Sequence, residues 1–365
     1  MHTVFRVDAS IQIGTGHVMR CLTLADALCD RGSRCTFICR PHRGHLLEVI
    51  AQRGHHAVAL PKLTETEVRL PTDSAHAAWL GTDWQTDAQQ SREALGGEGV
   101  DWLVVDHYAL DLRWEQALQP HCQNLMVIDD LADRPHDCDV LLDQNLDRSA
   151  RDYSGLLKPN TITFTGPQYA LLRPEFAQLR SQSLARRAQP QIKHLLITMG
   201  GVDKDNATGQ VLQALTACHL LTDLRITVVM GPHAPYLAEV QQQSAQMTWP
   251  TQVLVGVSGM AQLMADSDLC IGAAGGTSWE RCCLGVPTLL LVLADNQMSG
   301  AAALERAGAA LAVKTVQDIP QVVELYLSNA VASKLKSMSQ AAASVSDGLG
   351  WQRVVAAMLS KRLHA

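Results

Sequence analysis

A histidine directly follows a glycine-rich turn near the start of the chain, in the segment Ile13-Gly14-Thr15-Gly16-His17. Because the imidazole of histidine titrates near neutral pH, a side chain here could accept a proton from a reacting water molecule. Gly14 and Gly16 would let a ligand approach the backbone closely. The alternative is that His17 only donates a hydrogen bond to a bound phosphate or caps the turn. The segment predicts an anion site with a candidate general base beside it.

A second glycine-rich turn, Gly275-Gly276-Thr277-Ser278, precedes Glu280 in the second half of the chain. At the start of a helix it would present backbone N–H groups and two hydroxyls to an anion. Glu280 could then accept hydrogen bonds from ribose hydroxyls. Glycine turns also make tight connections, and Thr or Ser is an ordinary N-cap, so a purely structural role stays open.

Polar residues also follow several apolar runs. Asp8, Asp106 and Asp129 end such runs, and parallel strands bring their carboxyl ends to one rim of a sheet, where they would join His17. Tyr108 comes just after Asp106 and could orient substrate or water, or could only pack. Asp129 and Asp130 could bind a metal or act as an acid/base pair, but neighbouring strand residues point opposite ways. We therefore predict no metal site.

The segments that position these residues alternate between apolar runs and helical periodicity, which predicts an α/β fold with two Rossmann-like domains facing a cleft. We expect an N-terminal domain over residues 1–165, an interdomain connection over 166–191 and a C-terminal domain over 192–365. Predicted strands are residues 3–8, 34–40, 55–60, 102–106, 125–130, 140–145, 193–198, 224–230, 252–255, 268–271 and 286–294. Predicted helices are residues 18–28, 44–52 and 83–95, one from about Asn206, 235–243, one capped by residues 257–260, one after Gly276 and one starting at Asn296 and Gln297, with a loop at 64–78.

Composition excludes several classes of protein. The chain has 365 residues, 47% of them hydrophobic and 18% charged, with a formal net charge of −6. This argues against a nucleic-acid binder and against a disordered chain. No apolar run approaches the roughly 18 to 20 residues of a membrane span, and the first ten residues do not read as a signal peptide. We expect a cytoplasmic protein that uses no cofactor and needs no membrane or obligate protein partner.

Several motifs together resemble one enzyme family. They are Arg6-Val7-Asp8-Ala9-Ser10, Ile13 to Leu22, Val105-Asp106-His107-Tyr108, Leu141-Leu142-Asp143-Gln144-Asn145, Tyr169 to Phe176, and Ala274-Gly275-Gly276-Thr277-Ser278-Trp279-Glu280. In order and spread they are similar to the UDP-2,4-diacetamido-2,4,6-trideoxy-β-L-altropyranose hydrolases of pseudaminic acid biosynthesis. The family turn commonly has serine where this chain has Thr15, which keeps a hydroxyl.

The resemblance implies the GT-B fold and hydrolysis of a UDP-sugar to UDP and 2,4-diacetamido-2,4,6-trideoxy-L-altrose, without a metal ion. His17 would activate or position the attacking water, and Tyr108 would match the family's active-site tyrosine. The segment 275–280 would hold UDP, with Glu280 on the ribose. In GT-B relatives the region of Asn296 and Gln297 meets the sugar, so both are candidate sugar contacts, with a helix cap as the alternative.

Two other functions stay open at this point. A GT-B glycosyltransferase would share the fold and the UDP pocket and differ in its acceptor. A non-catalytic nucleotide-sugar-binding protein would keep the pocket but have no need of His17 and Tyr108.

Overall fold

The computed structural model describes residues 1–62, 76–97, 99–218, 223–327 and 332–362. They form two compact units: the first comprises Met1–Leu171 and Gly350–Ala365, and the second Leu172–Leu349. Of the predicted loop at residues 64–78, only 76–78 lie within the described part. Among the described residues, no helix has the length and apolar character needed to cross a membrane.

The first unit contains a seven-stranded parallel sheet with the strand order β3-β2-β1-β4-β5-β6-β7. Its strands are β1 (His2–Val7), β2 (Arg34–Cys39), β3 (His56–Ala59), β4 (Val100–Asp106), β5 (Cys122–Ile128), β6 (Val140–Asp143) and β7 (Ile162–Thr165). Four of its helices are α1 (Gly16–Cys29), α2 (Leu47–Gln52), α3 (Trp84–Leu95) and α4 (Leu112–Leu118).

Apolar side chains cover both faces of this sheet. On β4, Trp102 and Val104 enter the core on one face, while Leu103 and Val105 enter the core on the other. Such continuous apolar runs are typical of parallel strands buried on both sides. The strand order reverses between β1 and β4, and ligands of open α/β sheets bind beyond the carboxyl ends of the strands at such a point.

The second unit contains a six-stranded parallel sheet with the order β10-β9-β8-β11-β12-β13. Its strands are β8 (His194–Thr198), β9 (Arg225–Met230), β10 (Thr251–Val255), β11 (Leu269–Ala273), β12 (Thr288–Leu291) and β13 (Leu311–Val313). Its helices are α5 (Pro174–Arg186), α6 (Ala207–Leu215), α7 (Leu237–Ser244), α8 (Met260–Ala265), α9 (Thr277–Cys283), α10 (Met298–Arg306), α11 (Ile319–Leu327) and α12 (Ala332–Val345). Here the strand order reverses between β8 and β11.

Half of the segment expected to connect the domains is instead helix α5 of the second unit. Its polar composition suggested a linker, but its arginines have partners within that unit. Arg180 donates to the carbonyls of Ser346 and Ala343, and the buried Arg187 donates to those of Met264 and Ser267. The arginines thus donate to carbonyl groups at or just beyond the C-terminal ends of α8 and α12, where helix carbonyls lack intrahelical partners.

The last helix, α13 (Gly350–Arg362), belongs to the first unit, whereas the sequence placed residues 192–365 together in the second domain. Val354, Val355 and Met358 are buried in the same core as α1. A Cβ on Gly350 would come within 2.5 Å of the backbone of Ala170, so this close approach requires glycine. The apolar face of α13 thus completes the core beside α1.

The remaining predicted elements are found within a few residues of their expected bounds, and the α/β alternation is confirmed. The sequence did not indicate the helices α4, α5, α11, α12 and α13 or the strands β7 and β13. The strand expected at residues 286–294 is shorter, at Thr288–Leu291, and the helix expected at 44–52 begins at Leu47.

Candidate functional site

The first glycine turn leaves the N-terminus of α1 open. The Ser10 hydroxyl accepts hydrogen bonds from the backbone of Gln12 and Ile13, and the Gly14 N–H donates to the Ser10 carbonyl, at 2.8 Å. Gly14 has φ +85°, a conformation that favours glycine, and a Cβ on either Gly14 or Gly16 would have no atom within 4 Å. The N-cap side chain makes no hydrogen bond. Open space and unpaired N–H groups therefore meet at this helix start.

His17 is held by a buried carboxylate. Its Nδ1 lies 2.6 Å from Oδ1 of Asp106, whose side chain is 0% exposed, while the His17 side chain is 11% exposed. Asp106 is the last residue of β4, which pairs with β1 in the sheet. Because an ionised carboxylate only accepts, the imidazole proton belongs on Nδ1, which leaves the lone pair of Nε2 available as a base.

Arg20 lies one helical turn after His17 and clamps the same carboxylate. Its Nε and Nη2 donate to the two oxygens of Asp106 at 2.6 and 2.7 Å, and its Nη1 lies 2.7 Å from Asp130. Burial alone would raise the pKa of Asp106, but the charges and hydrogen bonds of Arg20 and His17 lower it below its usual value. The carboxylate therefore stays ionised. The sequence motif contained Arg20, and its i+3 spacing from His17 was the signal for a shared helix face.

Tyr108 packs against His17 and bonds to Asp130. The two rings are 4.7 Å apart at 84°, and the Tyr108 hydroxyl donates to Asp130 Oδ2 at 2.6 Å. Burial and the negative charge of Asp130 hold the pKa of Tyr108 well above its ordinary value, so the hydroxyl remains a neutral donor. The structure thus brings both predicted catalytic residues together, with Tyr108 supporting the ring of His17.

Two aromatic side chains that the sequence did not single out complete this cluster. Trp79 stacks on Tyr108 with 5.6 Å between ring centroids, and His76 lies 4.6 Å from Trp79 and 5.2 Å from Tyr108. Burial lowers the pKa of His76. Both are half-buried, in or beside a short 3₁₀ turn, so no periodicity marked them. The available signal was the presence of two ring side chains, His76 and Trp79, only three positions apart.

The other carboxylates expected at this rim have internal partners. Asp8 accepts from the buried Arg6 side chain and from the backbone of Arg40, each at 2.7 Å. Asp129 pairs with Arg134 at 2.8 Å and accepts from Tyr153. Asp129 and Asp130 therefore have different partners, although both lie beyond the end of β5 and not on the strand as expected. Among the described residues, no group of three or more His, Cys, Asp or Glu side chains could hold a metal ion.

The second glycine turn is shaped by Arg281. This buried side chain donates to the Ala273 carbonyl at 2.7 Å, to the Ser278 hydroxyl at 2.9 Å and to the Thr277 hydroxyl at 3.1 Å. A Cβ on Gly272 would lie 2.6 Å from its guanidinium, so β11 needs glycine there. Ser278 is buried by these contacts. The i+3 and i+4 spacing of Arg281 was the missed signal.

Gly275 and Gly276 themselves stand clear of other atoms at the start of α9. A Cβ on Gly276 would have nothing within 4 Å, and one on Gly275 would meet only Nε2 of Gln297, at 3.8 Å. Gln297 accepts from the backbone of Leu293 at 3.0 Å, so its amide is fixed beside the turn. Asn296, in the same 3₁₀ turn, is exposed.

Glu280 lies one turn into α9, with its side chain 17% exposed. Burial raises the pKa of Glu280 to about 7, although the charges of Arg173 and Arg281 oppose this rise. Arg173 Nη2 lies 3.9 Å from Glu280 and its Nη1 lies 3.2 Å from Glu175. The carboxyl group can therefore change its charge near neutral pH.

A groove of about 660 Å³ in the second unit lies away from these residues. Residues of α6 and α7, four of them glutamines, line most of it, with Val316, Gln317 and Pro320, and none of the predicted site residues contributes. Asn206, at its edge, caps α6 by accepting from the Gly209 N–H at 3.0 Å. Chemistry is better supported at the two turns than at this groove.

Comparisons with known proteins agree with the two-domain architecture. Residues 194–352 match the model of the glycosyltransferase family 28 C-terminal domain. The uncharacterized protein MJ1062 of Methanocaldococcus jannaschii is 24% identical over 288 residues, 78% of this chain and 54% of that protein. The chain thus spans about half the length of that relative.

Two further matches cover nearly the whole of the other protein. The UDP-2,4-diacetamido-2,4,6-trideoxy-β-L-altropyranose hydrolase of Campylobacter jejuni is 25% identical over 308 residues, 84% of this chain and 97% of that enzyme. The crystal structure of Acinetobacter baumannii MurG superposes with a TM-score of 0.66 at 17% identity, covering 98% of this chain and 99% of that one. The predicted GT-B fold is confirmed, and the chain is similar, at 25% identity, to one enzyme of the hydrolase family that its motifs resemble.

Proposed function

We propose that this protein hydrolyses UDP-2,4-diacetamido-2,4,6-trideoxy-β-L-altropyranose to UDP and 2,4-diacetamido-2,4,6-trideoxy-L-altrose. The observation that carries the proposal is the His17–Asp106 pair, at 2.6 Å, beside the open start of α1. A buried acceptor on Nδ1 and a free Nε2 are what a base acting on water requires. The distant match to the Campylobacter enzyme supports the choice of substrate.

In the proposed reaction, water attacks the anomeric carbon while its proton passes to Nε2 of His17. A bond forms between the water oxygen and the anomeric carbon, and the bond from that carbon to the β-phosphate oxygen breaks, with its electron pair leaving on UDP. UDP leaves readily, so backbone N–H groups that stabilise its growing charge can replace a protonated acid. No metal ion enters this scheme.

We assign UDP to the turn of the second unit. Gly275 and Gly276 leave the start of α9 open to a diphosphate, with the Thr277 hydroxyl next to it. Glu280 would accept from the ribose hydroxyls, and Gln297 is fixed beside the same glycines. Ser278 contributes through Arg281, which it helps to hold in the turn. Asn296 is an exposed candidate for contact with the sugar.

A glycosyltransferase that uses a UDP-sugar donor is the second candidate. The match of residues 194–352 to a glycosyltransferase C-terminal domain favours it, because that domain would serve either reaction. A non-catalytic nucleotide-sugar binder is less well supported, since it has no use for a buried carboxylate that orients His17.

The test is release of UDP from the substrate in the absence of any acceptor, measured by chromatography, with His17→Asn as the control. Hydrolysis predicts multiple turnovers by the wild type and almost none by the variant. Release that needs an added acceptor would identify a transferase, and no release under either condition would leave only a binding protein.

A further inference from the structure

The His17–Asp106 pair is part of a larger charged cluster. Arg20 bridges two carboxylates, with its Nε and Nη2 on Asp106 and its Nη1 2.7 Å from Asp130. The same guanidinium approaches the imidazole, since its Nη2 lies 3.3 Å from Nδ1 of His17. Arg20 can only donate, so this short distance places a positive charge beside the ring.

The charges in this cluster depend on one another. Two carboxylates and one guanidinium leave a single negative charge next to a neutral imidazole, and that charge is balanced when His17 accepts a proton. Without Arg20, neither the Asp106 carboxylate against the ring nor the Asp130 carboxylate behind it would have this compensating charge, and both would favour a proton on the imidazole. A base that is already protonated cannot activate water.

Asp130 is fixed by its main chain as well as by its side chain. The side-chain amide of Asn145 donates to the backbone carbonyl of Asp130 at 3.0 Å, and the Arg148 guanidinium donates to the same oxygen at 3.1 Å. This gives a structural purpose to the Asp143-Gln144-Asn145 motif. The Asp130 carboxylate is thereby set to receive both Arg20 and the Tyr108 hydroxyl.

We propose that Arg20 and Asp130 are positioning residues that align His17 and Tyr108 and set the balance of charge beside the imidazole. The inference deepens the proposed hydrolysis and rests on it for its meaning in catalysis. Its electrostatic part does not depend on which reaction the protein performs. Within the described part of the chain, the titratable and charged groups that face His17 are Asp106, Arg20, Tyr108 and His76, with Asp130 behind Arg20.

The test follows the His17 ring by NMR in protein labelled at histidine, with its signal assigned through its loss in His17→Gln. In Arg20→Met the midpoint of the His17 titration should move to higher pH. Removing a unit charge 3.3 Å from the ring nitrogen corresponds to about one pH unit even with the screening of bulk water. The acid limb of the kcat/KM profile should move by the same amount, because activity requires the unprotonated base.

Two further variants separate charge from alignment. Arg20→Lys retains the charge but cannot bridge both carboxylates, so the midpoint should stay within about half a pH unit of wild type while kcat falls about tenfold. Asp130→Asn removes a negative charge, so the midpoint should move in the opposite direction, to lower pH. Because this expected shift has its own direction, Asp130→Asn still tests the inference if Arg20→Met fails to fold.

The matched control is Arg92→Met, which makes the same change of charge at an exposed position of α3 and should leave midpoint and activity unchanged. A wild-type midpoint in Arg20→Met and in Asp130→Asn would overturn the inference. A wild type that releases no UDP would refute the proposed hydrolysis instead, and the NMR titration would still test the cluster.

Discussion

Replacement of Asp106 by asparagine tests how much of the activity depends on the orientation of His17. Asparagine has nearly the same shape but offers one acceptor and one donor where Asp106 uses two acceptors. If the amide oxygen faces His17, the amide nitrogen meets the donors of Arg20. If it is reversed, the NH₂ group faces Nδ1 and forces the proton onto Nε2, which removes the base.

The size of the effect follows from the bond that is lost. A hydrogen bond to a charged group contributes about 1.5 to 3 kcal/mol, and the 2.6 Å bond from Asp106 to His17 is of this kind. Each 1.36 kcal/mol is a factor of about ten in rate, so kcat/KM should fall by about 10- to 150-fold. The affinity for UDP, assigned to the second unit, should not change.

The assay is UDP release under kcat/KM conditions, with UDP affinity measured by calorimetry and folding checked by thermal unfolding. Asp133→Asn is the matched control, because Asp133 is a carboxylate 51% exposed that pairs with an arginine outside the His17 pair. A folded Asp106→Asn variant that retains kcat/KM within about twofold would refute the role of this carboxylate.

Three further predictions concern the other site residues. His17→Asn should bind UDP with wild-type affinity and lose about 10²- to 10⁴-fold in turnover; activity within a few fold of wild type would make His17 a structural residue. Tyr108→Phe removes the 2.6 Å bond to Asp130, so kcat should fall about tenfold with little change in KM, and an unchanged kcat would contradict the support given to His17. Because burial raises the pKa of Glu280 to about 7, its carboxyl group ionises and becomes a better acceptor as pH rises through that value. Uridine affinity should therefore increase with pH in wild type and stay flat in Glu280→Gln, and uridine is the probe because it has no phosphate to titrate; parallel curves would remove Glu280 from the ribose site.

The glycine turns could be predicted because their information is local. A strand end, two glycines and the first helical residue are contiguous in the sequence, and the parallel sheet brings such ends to one rim. The same rule predicts that Asp106, 89 positions away in the sequence, lies near His17. However, it predicts the same location for Asp8 and Asp129. Only the structure shows that those two carboxylates form ion pairs with Arg6 and Arg134.

Long-range partners explain what the sequence could not indicate. From the sequence alone, Arg180 and Arg187 are typical of a linker. The structure shows that each donates to carbonyl groups more than 70 positions away. The same holds for Arg281. Its guanidinium packs so closely against Gly272 of the preceding strand that a Cβ at that position would collide with it. The sequence does not distinguish a buried arginine from an exposed one, because burial is a property of the assembled fold.

The central claim is that water, activated by His17, attacks the anomeric carbon of the UDP-sugar. The most direct test is turnover of UDP-2,4-diacetamido-2,4,6-trideoxy-β-L-altropyranose in ¹⁸O-labelled water without an acceptor, with both products analysed by mass spectrometry immediately after quenching. UDP is the decisive product, since a free sugar exchanges its anomeric oxygen with water through the open-chain form. The proposed reaction predicts unlabelled UDP and label in the sugar, whereas label in the β-phosphate of UDP would place the attack at phosphorus and contradict it.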